Sequence, residues 1–217
     1  MTNILAIDTS SDICSVSLGK GKEIFDFHKS LPKQHTENLL NVISDLLGQS
    51  ELNYVDLQAV AVGVGPGSYT GIRLACAVAQ GIAFSHNIKG LTLSSLELIA
   101  IQAFHKTKSS NIVAISDLNL EKLYISESKF SDGDIDSTFR AISQEEFKQE
   151  DFDDNSLFVG PGCTLFPEIT NKLEGILPKA SNLVEIARMR FKNDLLSDPE
   201  DFLPIYLNDE DSWKKIK

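Results

Sequence analysis

The chain has 217 residues, 42% of them apolar and 24% charged, which is ordinary globular composition and enough for one large domain or two small ones. No apolar run is long enough to cross a bilayer as a helix, and Ile4-Leu5-Ala6-Ile7 has no basic segment before it and is cut by Asp8, so neither a transmembrane span nor a signal peptide is expected. The net charge of −11 sits almost wholly in residues 111–217, which hold 12 Lys and Arg against 22 Asp and Glu, while residues 1–110 hold 8 against 9; this disfavours direct nucleic-acid binding and leaves the charge-poor half for a protein–protein surface.

Residues 3–8 predict a buried strand, followed by a polar turn from Thr9 to Asp12. Cys14 to Leu18 alternates as a second strand, Gly19 and Gly21 mark a hairpin, and Glu23 to His28 predicts a third strand. Pro32 lies in a connector. From His35 the period changes: Leu39, Leu40, Val42, Ile43, Leu46 and Leu47 recur at helical spacing up to a stop at Gly48. Leu57 to Val64 is a further strand. It leads into Gly65-Pro66-Gly67-Ser68-Tyr69-Thr70-Gly71 and a helix to about Phe84, then a short strand at 88–93 and a helix at 94–105. The second half predicts strands at 111–116 and 122–129 and a turn at Ser131-Asp132-Gly133-Asp134. A helix at 143–148 has Glu146 three residues after its capping Ser143. A strand at 157–159 and helices at 164–173 and 182–193 follow, and the polar tail after Asp209 is expected to be mobile.

Two internal echoes organise these elements. Ile4-Leu5-Ala6-Ile7 resembles Ile112-Val113-Ala114-Ile115 at an offset of 108, and Val64-Gly65-Pro66-Gly67 matches Val159-Gly160-Pro161-Gly162 at an offset of 95. Occurring in the same order, they predict two copies of one mixed α/β unit, residues 1–108 and 109–217.

The Gly65–Gly71 loop reads in two ways: as a strand-to-helix turn capped by Ser68 or Thr70, or as a ligand loop, since free N–H groups at a helix start hold anions. It is not a Walker A loop, because no lysine occurs between Lys33 and Lys89. Gly71, Ala75, Ala79 and Ala83 repeat every four residues and form a smooth strip, either for packing within the chain or for a partner helix. Leu74 and Val78 widen its apolar surface, and the leucine-rich helix at 35–47 adds to it, which together suggest a normally covered patch. Asp8 at a strand end beside Thr9, Ser10 and Ser11 reads either as a turn residue capping its own backbone or as a position for Mg²⁺ or phosphate. His28, His35, His86 and His105 share no metal-ligand spacing. Cys14, Cys76 and Cys163 form no CxxC pair, so no disulfide framework or zinc site is expected, and a reduced, cytoplasmic setting fits. No Gly-x-Ser-x-Gly elbow occurs, and the acidic stretch 132–154 lacks EF-hand spacing and reads as a solvated face.

Ile4-Leu5-Ala6-Ile7-Asp8-Thr9-Ser10-Ser11 with Cys14-Ser15-Val16-Ser17-Leu18, the run His35-Thr36-Glu37-Asn38-Leu39-Leu40, and above all Gly63-Val64-Gly65-Pro66-Gly67-Ser68-Tyr69-Thr70-Gly71-Ile72-Arg73 resemble the bacterial TsaB (YeaZ-like) family over residues 3–105. The second half departs from that pattern. Asp117-Leu118-Asn119 stands where the family often has Asp-Ala-Arg, and Pro204-Ile205-Tyr206-Leu207-Asn208 where it has Pro-x-Tyr-Leu-Arg.

The resemblance implies an α/β fold of duplicated ribonuclease-H-like halves of the actin/sugar-kinase/Hsp70 superfamily. It also implies a non-catalytic subunit that binds and stabilises TsaD, working with the ATPase TsaE, in the complex that forms N6-threonylcarbamoyladenosine at position 37 of ANN-decoding tRNAs. ATP or ADP and metal are then expected on the partner subunits and not on this chain, with no strong direct tRNA binding and a homodimer where TsaD is missing. The metal-binding His-x-x-x-His pair of TsaD aligns with Ser95 and Ile99, which cannot replace it. Leu39, Val42, Ile43, Leu46, Gly71, Leu74, Ala75, Val78, Ala79 and Ala83 are the expected partner interface, so Ala79→Arg is expected to abolish pairing and leave the monomer folded. Asp8, Thr9, Gly65, Gly67, Ser68 and Asp117 are the expected remnant of a nucleotide cleft. The alternative is a kinase or ATPase using Asp8 and Asp117; a metallopeptidase is disfavoured by the missing histidine pair.

Overall fold

Apolar residues run unbroken through Ile4–Ile7 and Ala59–Val62, and such runs stay out of water only in the middle of a sheet. The computed structural model, which describes residues 2–119, 122–131 and 134–205 without the side chains of Leu118, Asn119 and Asp134, places them there. β1 (Asn3–Asp8) pairs antiparallel with β2 (Ile13–Lys20) and parallel with β4 (Ala59–Gly63). β3 (Glu23–Ser30) and β5 (Gly90–Leu93) complete a five-stranded sheet of order β3-β2-β1-β4-β5. In the second half β6 (Asn111–Asn119), β7 (Lys122–Ser131), β8 (Asp134–Ile142), β9 (Leu157–Val159) and β10 (Lys172–Leu173) form a sheet of order β10-β9-β6-β7-β8. Read from the other edge, this is the same order with the same parallel and antiparallel senses. Two copies of one mixed α/β unit, expected from the echoes, are what the sheets show, and they fit the duplicated ribonuclease-H-like plan that the resemblance implies.

Compact packing divides the chain between Ser95 and Leu96 and again between Leu177 and Pro178, whereas the repeat openings lie at β1 and β6. The first unit therefore contains Pro178–Ile205 as well as the residues up to Ser95. In this unit α1 (His35–Gln49) and α2 (Tyr69–His86) bury Leu39, Val42, Ile43 and Leu46, and Ile72, Ala75, Cys76 and Ala79, in one core with Leu5, Ile7, Val60 and Val62. α4 (Ala180–Lys192) packs on β1, β2 and β4, and its first N–H, at Ala180, donates to Ser15 Oγ at 2.9 Å. In the second unit Leu96, Ile99, Ala100 and Ala103 of α3 (Ser95–Thr107) bury against Ile112, Ala114 and Phe139. Phe147, Phe152, Phe158 and Phe166 gather with Val113 and Ile115 in another cluster.

Three expectations in the second half need correction. β8 was not predicted, because the pleat face that holds Ile135, Ser137, Phe139 and Ala141 interrupts its large apolar residues with serine and alanine, and Asp134, Asp136 and Arg140 lie between them. The expected helix at 143–148 is a single turn. Its capping box forms, with Ser143 N donating to Glu146 Oε2 at 2.8 Å and Glu146 N to Ser143 Oγ at 3.2 Å, but Phe147 is the sole apolar residue behind it and turns into the phenylalanine cluster. The expected helix at 164–173 is a 3-10 turn, Pro161–Leu165, followed by β10; Pro167 has no N–H to continue a helix. The middle of the turn at Ser131–Asp134, the Asn119 side chain, Tyr206, Asn208 and the tail after Asp209 lie outside the described residues.

Candidate functional site

Asp8 ends β1 wholly buried. Its Oδ1 accepts from Ser10 N at 3.1 Å and Ser10 Oγ at 2.8 Å, and its Oδ2 accepts from Ser95 Oγ at 3.2 Å. Burial pushes its pKa up, against the hydrogen bonds from Ser10 and Ser95 that favour the carboxylate. The consequence for stability follows from the sign of that shift. A carboxyl whose folded pKa lies above its unfolded value holds its proton longer in the native state, so stability falls as pH rises from the ordinary carboxylate value through the folded one. Asp8→Asn keeps the shape and removes the buried charge. We expect it to raise the thermal midpoint at neutral pH, with the gain shrinking to nothing as pH falls below the ordinary carboxylate range. A thermal-melt series across pH checks this, and a gain that persists in acid contradicts it.

The glycine loop closes over the Asp8 turn and not over open space. Thr9 Oγ1 donates to Gly71 O at 2.7 Å, Ser68 N donates to Ser10 O at 2.7 Å, and Ser95 N donates to Gly65 O at 2.7 Å. A Cβ at Gly63 would lie 1.9 Å from Asp8 Oδ2, at Gly67 2.3 Å from Ser10 O, and at Gly71 2.0 Å from Thr9 O. Those glycines are there so that the chain's own backbone can approach. Asp8, Thr9, Gly65, Gly67 and Ser68 do come together, as expected for a nucleotide cleft, but the space against the loop is occupied by residues 9 and 10. Ser68 caps α2 by accepting from Gly71 N at 3.3 Å, so the turn reading of the loop holds locally.

The sixth residue of that set, Asp117, belongs to the second unit, half-buried on β6 at an irregularity between Ser116 and Asn119. The glycine motif there is not in the same place. Ile4 pairs with Ala59 and Ile112 with Leu157, an offset of 98 between β4 and β9 against 95 for the motif. The second Gly-Pro-Gly thus begins three residues earlier along its strand, level with Ile115, where a Cβ at Gly160 would lie 2.5 Å from Ile115 O. It ends in the short turn Pro161–Leu165 instead of opening a long helix.

The residues expected to form a partner interface separate by exposure. Leu39, Val42, Ile43, Leu46, Gly71, Ala75, Ala79 and Ala83 are buried within this chain; only Leu74 and Val78 are partly exposed. The small-residue strip lets α2 lie close on its own sheet, so the expectation that Ala79→Arg spares the monomer is corrected: Ala79 is 0% exposed. The outer faces of the same helices carry a second stripe, of which only Leu74 was among the expected interface residues: Leu40, Ser44 and Gly48 on α1 and Leu74, Ala77, Gly81 and Phe84 on α2. Leu40 is 57% and Phe84 53% exposed, and a Cβ on Gly48 or Gly81 would meet nothing within 4 Å. Its signal was the same helical period read from the other side, masked by the stronger inward stripe.

The other candidates are placed in the fold as packing groups. Burial pushes the Cys14 thiol up to about 11, and the Cys76 and Cys163 thiols up to about 12, so none is a ready nucleophile. His28 Nδ1 lies 3.0 Å from Ser15 Oγ, the same oxygen that anchors α4, and burial lowers the His28 pKa. Ser95 is engaged by Asp8 and Gly65, and Ile99 is buried in the second unit's core. Among the described residues no three His, Cys, Asp or Glu side chains form a metal-binding group, and no helix is long and apolar enough to cross a membrane.

Comparison with known proteins adds relatives to this geometry. The family profile described as TsaD, tRNA N6-adenosine threonylcarbamoyltransferase, matches residues 29–149, more than half of the chain. The tRNA threonylcarbamoyladenosine biosynthesis protein TsaB of Haemophilus influenzae is 32% identical, over 98% of this chain and 96% of its own length. Its counterpart in Escherichia coli is 28% identical, over 98% and 97%. A Pseudomonas aeruginosa crystal structure, described as an uncharacterized protein with similarity to peptidase YEAZ, superposes with a TM-score of 0.88 at 25% identity, over 96% of this chain and all of that one.

Proposed function

We propose that this chain, which belongs to the TsaB family of tRNA threonylcarbamoyladenosine biosynthesis proteins, serves that biosynthesis as a non-catalytic subunit. Its role is to bind and stabilise a TsaD-type transferase. The observation that carries the reading is the outer face of α1 and α2. These adjacent helices present exposed Leu40 and Phe84, partly exposed Leu74 and Val78, and small residues at Ser44, Gly48, Ala77 and Gly81. Small residues flanked by large apolar ones let two helices of another subunit approach closely and bury area.

The chemistry of the site supports the division of labour. The glycine loop is filled by its own chain, and Ser95 and Ile99 offer no imidazole where a transferase of the family would hold metal. A kinase or ATPase reading has less behind it, because the loop that would cradle phosphate has no lysine and no free space against Asp8. In this proposal ATP or ADP and metal sit on the partners, TsaD and TsaE. The net charge of −11 leaves tRNA to their surfaces, the reduced cysteines suit the cytoplasm, and the same helical face pairs two copies of this chain when TsaD is missing.

Light scattering coupled to size exclusion, on this chain alone and with the TsaD-type transferase of its own organism, tests the reading. The expected result is a heterodimer, and no complex overturns it. Ala77→Arg, on the exposed side of α2, is expected to weaken the complex by about a hundredfold while the thermal midpoint stays put. An unchanged affinity moves the interface off this face.

A further inference from the structure

We propose that the outer edge of β8 pairs two copies of this chain, as antiparallel strands about a two-fold axis at Thr138. β8 is nine residues long and ends its sheet. It pairs with β7 without a register shift from Leu123↔Ile142 to Ser131↔Asp134, and among the described residues no backbone hydrogen bond joins it to anything else. An edge strand of that length presents unpaired N–H and C=O groups along its outer side. The other sheet edges are engaged or short. At β5, Gly90 and Ser197 exchange backbone hydrogen bonds of 3.0 and 2.8 Å; at β3, Glu23 O accepts from Arg188 Nη2 at 3.0 Å; β10 has two residues. β8 has neither a proline nor a bulge, the devices that keep a second strand away.

The occupant is identified by the charge complementarity of this strand with itself. A two-fold axis across an antiparallel pair sets each residue opposite the one equally far beyond the axis. Thr138 is the middle residue of Asp134–Ile142, so an axis there overlaps the whole strand. That register, chosen by overlap alone, sets Asp136 opposite Arg140 of the second copy and Arg140 opposite Asp136 of the second copy, with the two Thr138 residues between them. All three positions share one pleat face, where Asp136 and Thr138 are exposed and the Arg140 side chain is 20% exposed. Arg140 is held in place within its own chain. Its Nη2 lies 3.4 Å from Glu127 Oε1, and its guanidinium carbon is 4.5 Å from the centre of the Phe152 ring. Asp136 stands opposite Lys129 of β7. Pairing thus puts Lys129, Asp136 and Arg140 of the second copy in one row of alternating charge across three strands. On the other pleat face Ile135 meets Ala141 and Ser137 meets Phe139, and no charge is brought together. β8 lies in the second unit and α1 and α2 in the first, so this edge is separate from the helical face that serves TsaD in the proposal above.

The test uses the full chain carrying Ala77→Arg, which blocks the helical face, in sedimentation velocity across a concentration series. The expected result is a reversible dimer. Asp136→Lys and Arg140→Glu, each added singly, set like charges opposite each other at both ends of the pair and are expected to weaken self-association by about tenfold. Mixed one to one, the two variants recover both opposite-charge pairs and are expected to dimerise as the parent does. Thr138→Cys is expected to cross-link two copies under oxidised glutathione, because the facing Cα atoms would lie about 4.5–5.5 Å apart. Glu127→Cys, one strand further in, is expected not to. Asp136→Lys and the cross-link carry the test if Arg140→Glu, which gives up the Glu127 and Phe152 contacts, fails to fold. A chain that stays monomeric overturns the proposal, and so does a dimer that is indifferent to Asp136→Lys or is not cross-linked at position 138. Because the helical face is blocked throughout, failure here leaves the docking of TsaD standing.

Discussion

Ala79→Arg is expected to leave no stable native state. Ala79 sits in the middle of α2 at 0% exposure, in the core that also holds Val60, Val62 and Ile43. A guanidinium there has neither room nor a counter-charge, and the combined overpacking and buried charge costs more than about 4 kcal/mol, a large share of the stability of a domain this size. Chemical denaturation followed by circular dichroism reads the outcome. Ala77→Arg, two residues away on the exposed side, serves as the matched control and is expected to unfold at the wild-type midpoint. If Ala79→Arg melts like the control, the inward face of α2 has been misassigned. The pair also separates folding from docking, since a variant that unfolds says nothing about a partner.

Gly71→Ala is the second large effect. The added methyl would meet Thr9 O at 2.0 Å, a backbone atom that cannot move without breaking the end of β1. The same contact carries the hydrogen bond from Thr9 Oγ1 to Gly71 O and neighbours the one from Ser68 N to Ser10 O. Loss of about 3 kcal/mol is expected, with the Ser68 amide losing its protection from hydrogen exchange first, because the loop must lift away from residues 9 and 10. Gly81→Ala lies on the same helix, where a Cβ meets nothing within 4 Å. It should stabilise by about 0.5–1 kcal/mol, because alanine loses less backbone entropy in a helix interior. Equal effects from the two substitutions would show that close approach of α2 to β1 is not what Gly71 is for.

The first unit was largely legible because its signals are strong and local. β1, α1, α2 and the loop between β4 and α2 each combine an apolar period with a breaker or cap, and all lie where they were expected. The second unit was less so. β8 carries serine on its inward pleat, the 143–148 turn has a cap without a second apolar residue, and Pro167 stops a helix that the pattern around it suggests. In each case tertiary contacts, such as the phenylalanine cluster around Phe147, decided what the local pattern left undecided.

The candidate sites show the same division. That Asp8, Thr9, Gly65, Gly67 and Ser68 would line one cleft was implied by the family resemblance and not by any local pattern, and these five do converge. That the space between them is filled by the chain itself is visible only as distances between backbone atoms.

The amino-acid order by itself determined the duplicated α/β plan, the two amphipathic helices and the glycine turn, because apolar period, caps and breakers act over a few residues. Only the tertiary structure decided which face of α2 is buried, that the second Gly-Pro-Gly begins three residues earlier on its strand, and that β8 is the outer strand of its sheet. A helix with apolar or small residues on both faces has no preferred inside until a sheet is laid against it, and register between distant strands is a property of the pairing and not of either segment.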